Sequence, residues 1–200
     1  MKIKICGLRR QCDIDYANEL LPDFIGFIFD KTRRRYIEPA AAAKLKQNLD
    51  GAIKAVGVFV DEPLTNVVNC AEIGAMDIIQ LHGNEDEAYI SALRKKTDCP
   101  IIKAFKIKCA ADIANAEKLT ADYLLFDSGQ GSGKVFDWDL LKAAQRPYFL
   151  AGGLNTDNVK TAVEILHPFG VDVSSGVETA GYKDYEKMKR FVEICRENDD

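Results

Sequence analysis

Two residues that can exchange protons end two short apolar runs. Cys6 ends KIKIC, directly before a glycine, and Asp127 ends DYLLFD. Taken alone, each has an ordinary explanation, because free cysteine is often buried and aspartate often hydrogen-bonds its own loop backbone. A thiol and a carboxyl that face one another across the same space would instead form a general acid/base pair. The sequence therefore predicts proton-transfer chemistry at Cys6 and Asp127.

Glycine-rich turns after two other apolar runs, AGGLN and VSSG, are candidates for a phosphate site. Their small residues are Gly152, Gly153, Ser174, Ser175 and Gly176. Such glycines can simply permit tight turns. Backbone N–H groups at a turn that leads into a helix also favour an anion, however, and we expect the helix after AGGLN to be capped by Asn155 or Thr156. The two turns together favour phosphate binding.

Two further stretches carry glycine or charge. SGQGSGK, at residues 128–134, does not have the spacing of a Walker A phosphate loop, so we interpret it as a mobile active-site loop with Asp127 at its root.

Arg33, Arg34 and Arg35 lie in the sequence DKTRRRYI. Runs of arginine are usually solvated, but guanidinium binds carboxylates through paired hydrogen bonds. One of the three is expected to hold an anionic group at the end of the site opposite the phosphate.

Short apolar runs rich in Ile, Val and Phe recur along the chain and predict eight strands. They are KIKIC from residue 2, FIGFIF from 24, IKAVGVFV from 53, MDIIQLH from 76, PIIKAF from 100, DYLLFD from 122, YFLAGG from 148 and GVDVSS from 170. Polar stretches with helical spacing separate them, so strand and helix alternate throughout. The strand starts fall roughly 22 to 30 residues apart, which leaves room for one strand, one helix and two short loops in each unit.

Eight such units could form an open doubly wound sheet or a closed barrel. Even spacing, and the lack of GxGxxG after the first strand, favour a compact single-domain α/β fold, a (β/α)8 TIM barrel over residues 1–200. Barrel enzymes carry their active sites at the carboxyl ends of the strands. Cys6 and Asp127 are predicted to lie at that face.

Strand alternation predicts which side chains of the first strand face the barrel interior. If the helices cover Ile3 and Ile5, then Lys4 and Cys6 point inward. A buried lysine needs a counter-charge. Asp172 has the same inward phase on the eighth strand, which neighbours the first in a closed barrel. We therefore predict an ion pair between Lys4 and Asp172, within about 6 Å and below the active site.

Composition narrows the classes of partner. The formal net charge of -4 argues against nucleic acid and anionic membranes as partners, and favours a small molecule. The sequence shows no signal peptide and no apolar run long enough to span a bilayer, which predicts a cytoplasmic protein. The six cysteines lack CxxC spacing and are interpreted as reduced thiols. With two histidines and no HExxH, no metal site is predicted.

The motifs, in order along the whole chain, resemble those of the phosphoribosylanthranilate isomerase family of tryptophan biosynthesis. They are KICGL, GFIF followed by TRRRYI, GVFV, QLHG, LLFDSGQGSGKVFDW, LAGGLN and VDVSSGVE. Any one of these motifs is weak evidence, but seven in sequence are specific. The sequence departs from the family at Thr32, where serine is usual, and in having three successive arginines.

The resemblance implies a (β/α)8 barrel that converts N-(5-phosphoribosyl)anthranilate into 1-(2-carboxyphenylamino)-1-deoxyribulose 5-phosphate by an Amadori rearrangement, without cofactor or metal. It implies Cys6 as general base, Asp127 as general acid and Arg35 as the ligand of the anthranilate carboxylate. Gln80 and His82 would line the pocket. The phosphate would bind at Gly152, Gly153, Ser174, Ser175 and Gly176. Whether the protein is a monomer or a homodimer stays open.

Two other functions remain to be weighed. An indoleglycerol phosphate synthase would use a lysine acid with a glutamate partner at the strand ends; Lys103 lies on the fifth strand, but we expect no strand-end glutamate to accompany it. A thiol-redox protein would pair Cys6 with Cys12, and these two residues lack CxxC geometry. The isomerase is therefore the favoured function.

Overall fold

A closed barrel of eight parallel strands forms the centre of the computed structural model, which describes residues 1–127 and 138–197. The strands are β1 (Lys2–Cys6), β2 (Phe24–Ile28), β3 (Lys54–Phe59), β4 (Ile78–Leu81), β5 (Ile101–Lys106), β6 (Tyr123–Asp127), β7 (Tyr148–Ala151) and β8 (Gly170–Val173). Each pairs in parallel with the next, and β8 pairs with β1 to close the ring. The predicted (β/α)8 barrel is confirmed.

Helices lie between successive strands. They are α1 (Gln11–Leu20), α2 (Pro39–Lys46), α3 (Leu64–Glu72), α4 (Glu87–Arg94), α5 (Ala110–Ala116), α6 (Val159–Leu166) and α7 (Tyr185–Glu197). Between β6 and β7 the described residues form a short 3₁₀ helix, Trp138–Ala143, so the α-helix expected in this unit is not found among them.

The start of α6 differs from the predicted one. The helix begins at Val159 with Asn158 as the N-cap, so neither Asn155 nor Thr156 caps it. The Asn155 side chain instead accepts hydrogen bonds from the backbone N–H groups of Asp157 and Asn158. Asparagine readily forms this kind of turn with its own loop backbone, and the turn delays the helix.

A small antiparallel hairpin follows β8. It consists of β9 (Glu178–Thr179) and β10 (Tyr182–Lys183), with Lys183 opposite Glu178. The sequence analysis did not identify either strand, because two-residue strands are too short to show alternation. The hairpin places charged side chains beside the carboxyl ends of β1 and β8.

Two separate apolar cores result from the alternation of side chains along the strands. Ile3 and Ile5 belong to the outer core, between the barrel and its helices. Cys6 and Leu125 belong to the inner core, inside the barrel. This is the assignment that alternation predicts for β1 and β6.

The predicted ion pair inside the barrel is confirmed. Lys4 and Asp172 are register partners on β1 and β8, and Lys4 Nζ lies 3.0 Å from Asp172 Oδ2. The Lys4 side chain is completely buried. Burial, the largest single influence, lowers the pKa of Lys4, but the charges and hydrogen bonds of Asp172 and Cys6 together outweigh it and raise that pKa, so Lys4 stays protonated.

Within residues 1–127 and 138–197, no helix is both long enough and apolar enough to cross a membrane.

Candidate active site

A cavity of about 870 Å³ opens at the carboxyl ends of the barrel strands. The predicted site residues that line it are Cys6, Arg35, Gln80, His82, Asp127, Gly152, Gly153, Ser174 and Ser175. They come from β1, β4, β6 and the segments that follow β2, β4, β7 and β8. The fold therefore brings side chains that are far apart in the sequence to one concave surface.

Cys6 lies at the carboxyl end of β1, where the chain turns away from the barrel. The turn uses Gly7, whose positive φ of 87° suits glycine, and the N–H groups of Gly7 and Leu8 both donate to the carbonyl oxygen of Gly26. Gly26 is the register partner of Cys6 on β2. A Cβ atom at Gly26 would lie 2.7 Å from Cys6 Sγ. The absence of a side chain at Gly26 therefore creates the space that the thiol occupies.

Two lysines act on the ionisation of Cys6. Burial raises the pKa of the thiol, while the ammonium groups of Lys4 and Lys183 lower it; the net direction is upward. The Asp172 charge adds to the upward shift. The expected influence of Lys4 is therefore present, but in the protein without substrate it does not overcome the cost of burying a thiolate.

A chain of three polar side chains runs from β4 to β6. Gln80 Nε2 lies 2.9 Å from His82 Nδ1, and His82 Nε2 lies 3.4 Å from Asp127 Oδ2. Because the amide nitrogen of Gln80 can only donate, this contact requires the tautomer in which Nδ1 accepts and Nε2 carries the proton. His82 thus directs an N–H group toward the predicted general acid and restricts the orientation of its carboxyl group.

Of the three consecutive arginines, Arg33 and Arg35 line the cavity, and Arg35 is the most buried. Arg33 pairs with Asp30 and has 61% of its side chain exposed, and Arg34 has 56% exposed. The Arg35 side chain is only 20% exposed. Its Nε and Nη2 atoms donate to the two carboxylate oxygens of Glu178, at 2.6 and 2.9 Å.

The segments after β7 and β8 meet at the edge of the cavity. Gly152 and Gly153 both have positive φ, 95° and 72°, which glycine adopts without steric cost. Gly176 is bridged to Asn155, and a Cβ atom at Gly176 would lie 1.9 Å from the carbonyl oxygen of Leu154. Unlike the other predicted phosphate residues, Gly176 is therefore placed to join the two segments rather than to line the cavity.

The sequence analysis did not identify two charged residues near the site, Glu178 and Lys183. Glu178 binds Arg34, Arg35 and Lys183, and Lys183 Nζ also donates to the carbonyl oxygen of Ser174. The VDVSSGVE motif contains Glu178, but this residue begins a strand of only two residues, which is too short to show a periodicity that indicates where its side chain points.

The expectation that no glutamate accompanies Lys103 is wrong. Glu85, in the segment after β4, lies 3.0 Å from Lys103 Nζ, and both side chains are buried. The lysine ammonium also donates to the carbonyl oxygen of Gly83 at 2.7 Å. Glu85 in turn accepts from the N–H groups of Asp61 and Gly83. The pair therefore holds the segment after β3 against the segment after β4. His82 belongs to the segment after β4 and directly precedes Gly83.

The predicted mobile loop at residues 128–134 lies outside the described residues, so its arrangement around Asp127 stays a prediction.

Comparison with known proteins identifies the family. The family model for N-(5'phosphoribosyl)anthranilate (PRA) isomerase matches residues 3–194. A relative from Endomicrobium trichonymphae, named N-(5'-phosphoribosyl)anthranilate isomerase, is 46% identical over 200 residues, and the match covers 98% of each chain.

Solved structures agree with this match. Phosphoribosyl anthranilate isomerase from Thermus thermophilus is similar at a TM-score of 0.88 and 33% identity, covering 98% of this chain and 99% of that one. A phosphoribosyl anthranilate isomerase in complex with reduced 1-(o-carboxyphenylamino)-1-deoxyribulose 5-phosphate is similar at 0.85 and 30% identity, with the same coverage. The resemblance seen in the seven sequence motifs is confirmed, and the chain belongs to the N-(5'-phosphoribosyl)anthranilate isomerase family.

Proposed function

We propose that this protein converts N-(5'-phosphoribosyl)anthranilate into 1-(2-carboxyphenylamino)-1-deoxyribulose 5-phosphate, the isomerisation step of tryptophan biosynthesis, with Cys6 as general base and Asp127 as general acid. Family membership supports the reaction. The observation that supports these two roles is that Cys6 and Asp127, although 121 positions apart in the sequence, line the same cavity at the carboxyl ends of the barrel strands.

The first step opens the sugar ring. Asp127, in its acid form, gives its proton to the ring oxygen of the furanose while the bond between that oxygen and C1 breaks. The lone pair of the anthranilate nitrogen forms a double bond to C1, which gives an iminium ion. His82, which directs Nε2–H toward Asp127 and is itself held by Gln80, keeps the carboxyl group oriented.

The second step moves a hydrogen from C2. Cys6, as thiolate, removes the proton from C2, and the electron pair of that bond neutralises the iminium to give an enolamine. The enolamine then tautomerises: C1 gains a proton and the hydroxyl group on C2 loses one, which gives the ketone product. Since C2 is oxidised to the same extent as C1 is reduced, the reaction as proposed needs no redox cofactor.

The ends of the cavity suit the two ends of the substrate. Arg35 is proposed to bind the anthranilate carboxylate, because a guanidinium offers paired donors to a carboxylate. The positive-φ turn at Gly152 and Gly153, with Ser174 and Ser175, is proposed to bind the phosphate through backbone N–H groups and hydroxyls. These two anchors would hold the sugar between Cys6 and Asp127.

The synthase alternative is less well supported. Lys103 does have a glutamate partner. On β5, however, Ile102 and Ala104 face the barrel interior, so Lys103 lies on the same face of the strand as Ile101, which belongs to the outer core. Its ammonium contacts Glu85 and the carbonyl oxygens of Gly83 and Ala104. A lysine with its donors used in this way is better suited to holding loops than to giving a proton to substrate.

An isomerase assay that follows the fluorescence of the anthranilate derivative tests the proposal. Wild-type protein is expected to be active, and Cys6→Ser and Asp127→Asn are each expected to lower kcat by about 10²- to 10⁴-fold, the range for loss of a general acid or base. Cys12→Ser, which changes a half-buried thiol outside the cavity, is the matched control. Inactive wild type would refute the function, and full activity of both site variants would refute the two roles.

A further inference from the structure

The carboxylate of Glu178 lies at the centre of a cluster of three cations next to the proposed aryl end of the cavity. Its Oε1 accepts from Arg35 Nε and Lys183 Nζ, and its Oε2 accepts from Arg34 Nη2 and Arg35 Nη2. The side chain of Glu178 is 4% exposed. Each carboxylate oxygen thus accepts two hydrogen bonds, so both are saturated and the carboxylate is fixed in position.

Glu178 binds only one of the two edges of the Arg35 guanidinium. A guanidinium can pair with a carboxylate along its side, through Nε and one terminal nitrogen, or along its end, through both terminal nitrogens. Glu178 occupies the side edge. Among the residues that the structure describes, Nη1 at the end edge has no acceptor. The end edge of Arg35 therefore remains available to a second carboxylate.

The stem of Arg35 is also held. A Cβ atom at Gly7 would lie 2.5 Å from Arg35 Cδ, so the Arg35 side chain runs directly over the glycine that follows Cys6. With its stem on Gly7 and its side edge on Glu178, the guanidinium has little freedom to rotate. One carboxylate facing three cations also leaves a local excess of positive charge, which favours a second anion beside Arg35.

We propose that Glu178 is a positioning residue that fixes Arg35 by its side edge, so that its end edge receives the aryl carboxylate of the substrate. This inference rests on the role proposed above for Arg35. It assigns to Glu178 a part in substrate selection: the residue acts on the carboxylate-bearing ring through Arg35, and touches no reacting atom.

Binding of two ligands that differ only in the aryl carboxylate shows whether Glu178 positions Arg35 or only supports the fold. The first is reduced 1-(o-carboxyphenylamino)-1-deoxyribulose 5-phosphate, and the second is the same compound without the carboxyl group. Their dissociation constants are measured by calorimetry for wild type, Glu178→Gln, Glu178→Asp, Arg35→Gln and Arg34→Gln. Arg34→Gln is the matched control, because Arg34 binds the same carboxylate but is largely exposed and is not among the lining residues.

Glu178→Gln keeps the size of the side chain but has only one oxygen that can accept hydrogen bonds from Nε and Nη2 of Arg35. We expect it to weaken binding of the carboxylate-bearing ligand by about tenfold, the equivalent of one charge-assisted hydrogen bond, and to change binding of the other ligand by less than about twofold. Glu178→Asp keeps both oxygens and is expected to recover part of the loss. Arg34→Gln is expected to bind both ligands like wild type.

The outcomes distinguish the inference from the function on which it rests. If Arg35→Gln weakens both ligands equally, Arg35 does not bind the aryl carboxylate, and both assignments fall. If Arg35→Gln discriminates between the ligands but Glu178→Gln does not, the Arg35 assignment stands and the role of Glu178 is refuted. Equal weakening of both ligands by Glu178→Gln, with Arg35→Gln still discriminating, would show that Glu178 supports the fold alone.

Discussion

Lys4 and Asp172 face one another across the seam where β8 closes on β1, with Nζ and Oδ2 3.0 Å apart inside the barrel. Within the described residues, neither Lys4 Nζ nor Asp172 Oδ1 has a hydrogen-bond partner of good geometry. Each charge therefore depends mainly on the other to compensate for its burial. Loss of one member leaves an uncompensated charge in the barrel interior.

Lys4→Met is expected to lower the free energy of unfolding by about 3–5 kcal/mol, the usual cost of breaking a buried pair from one side. The double variant Lys4→Met/Asp172→Leu, which removes both charges, is expected to recover most of that loss. Urea denaturation measures both values. Lys2→Met is the control, since Lys2 lies on the same strand as Lys4 but forms a solvent-exposed pair, with Asp23. A double variant as unstable as the single one would contradict the prediction.

Gly26→Ala is expected to impair catalysis by displacing the thiol of Cys6, because the added Cβ would lie 2.7 Å from Sγ and 3.1 Å from the Cys6 Cα. A displacement of about 1 Å can cost a factor of about 10² in rate, so we expect kcat to fall by about 10- to 100-fold. Gly51→Ala is the matched control, since a Cβ there meets nothing within 4 Å. Steady-state kinetics give kcat; equal values for the two variants would mean that the thiol has room to move.

Glu85→Gln is expected to destabilise the protein by about 3–5 kcal/mol, because Lys103 would keep a buried charge without its carboxylate. Lys160→Gln removes an exposed pair with Glu164 and is expected to change the stability by less than about 1 kcal/mol. Urea unfolding of the two variants tests the contrast. A small effect for Glu85→Gln would indicate that the carbonyl oxygens around Lys103 suffice to hold its charge.

Acid should weaken the cluster around Glu178. Burial alone would raise the pKa of Glu178, but hydrogen bonds from Arg35 and Lys183 outweigh it and lower that pKa to about 2. Because the pKa is lower in the folded than in the unfolded protein, the carboxylate stabilises the fold above its ordinary pKa of about 4.3 and loses this effect as the pH falls toward 2.

The measurement is the difference in unfolding free energy between wild type and Glu178→Gln across that pH range. We expect the difference to be largest near neutral pH and to shrink as the pH falls. Glu164→Gln, which removes a carboxylate from an exposed helical pair, serves as the control. A difference that stays constant with pH would refute the prediction.

The parts of the molecule governed by strict periodicity could be predicted from the sequence. Alternation in β1 assigned Lys4 and Cys6 to the interior, and closure of the barrel made Asp172 the neighbour of Lys4. Both inferences need only the two-residue repeat of a strand and the order of strands around the ring.

The contacts of loop side chains could not be predicted in this way. Arg35 and Glu178 are 143 positions apart, one in a loop and the other in a two-residue strand, and their pairing depends on the reach of two long side chains. The contact between Glu85 and Lys103 has the same origin, because Glu85 lies in the segment after β4. The N-cap of α6 was missed because Asn155 forms a turn that delays the helix.

Glu178 also joins the two ends of the cavity. It binds Arg35 at the proposed aryl end, and it binds Lys183, which holds the carbonyl oxygen of Ser174 at the proposed phosphate end. Substitutions at the two ends therefore share a partner, and their effects on activity should not be additive. For enzyme engineering, this means that Arg35 cannot be exchanged in isolation. A variant that accepts a phosphoribosyl substrate without an aryl carboxylate must also compensate the negative charge of Glu178, which loses Arg35 as its partner.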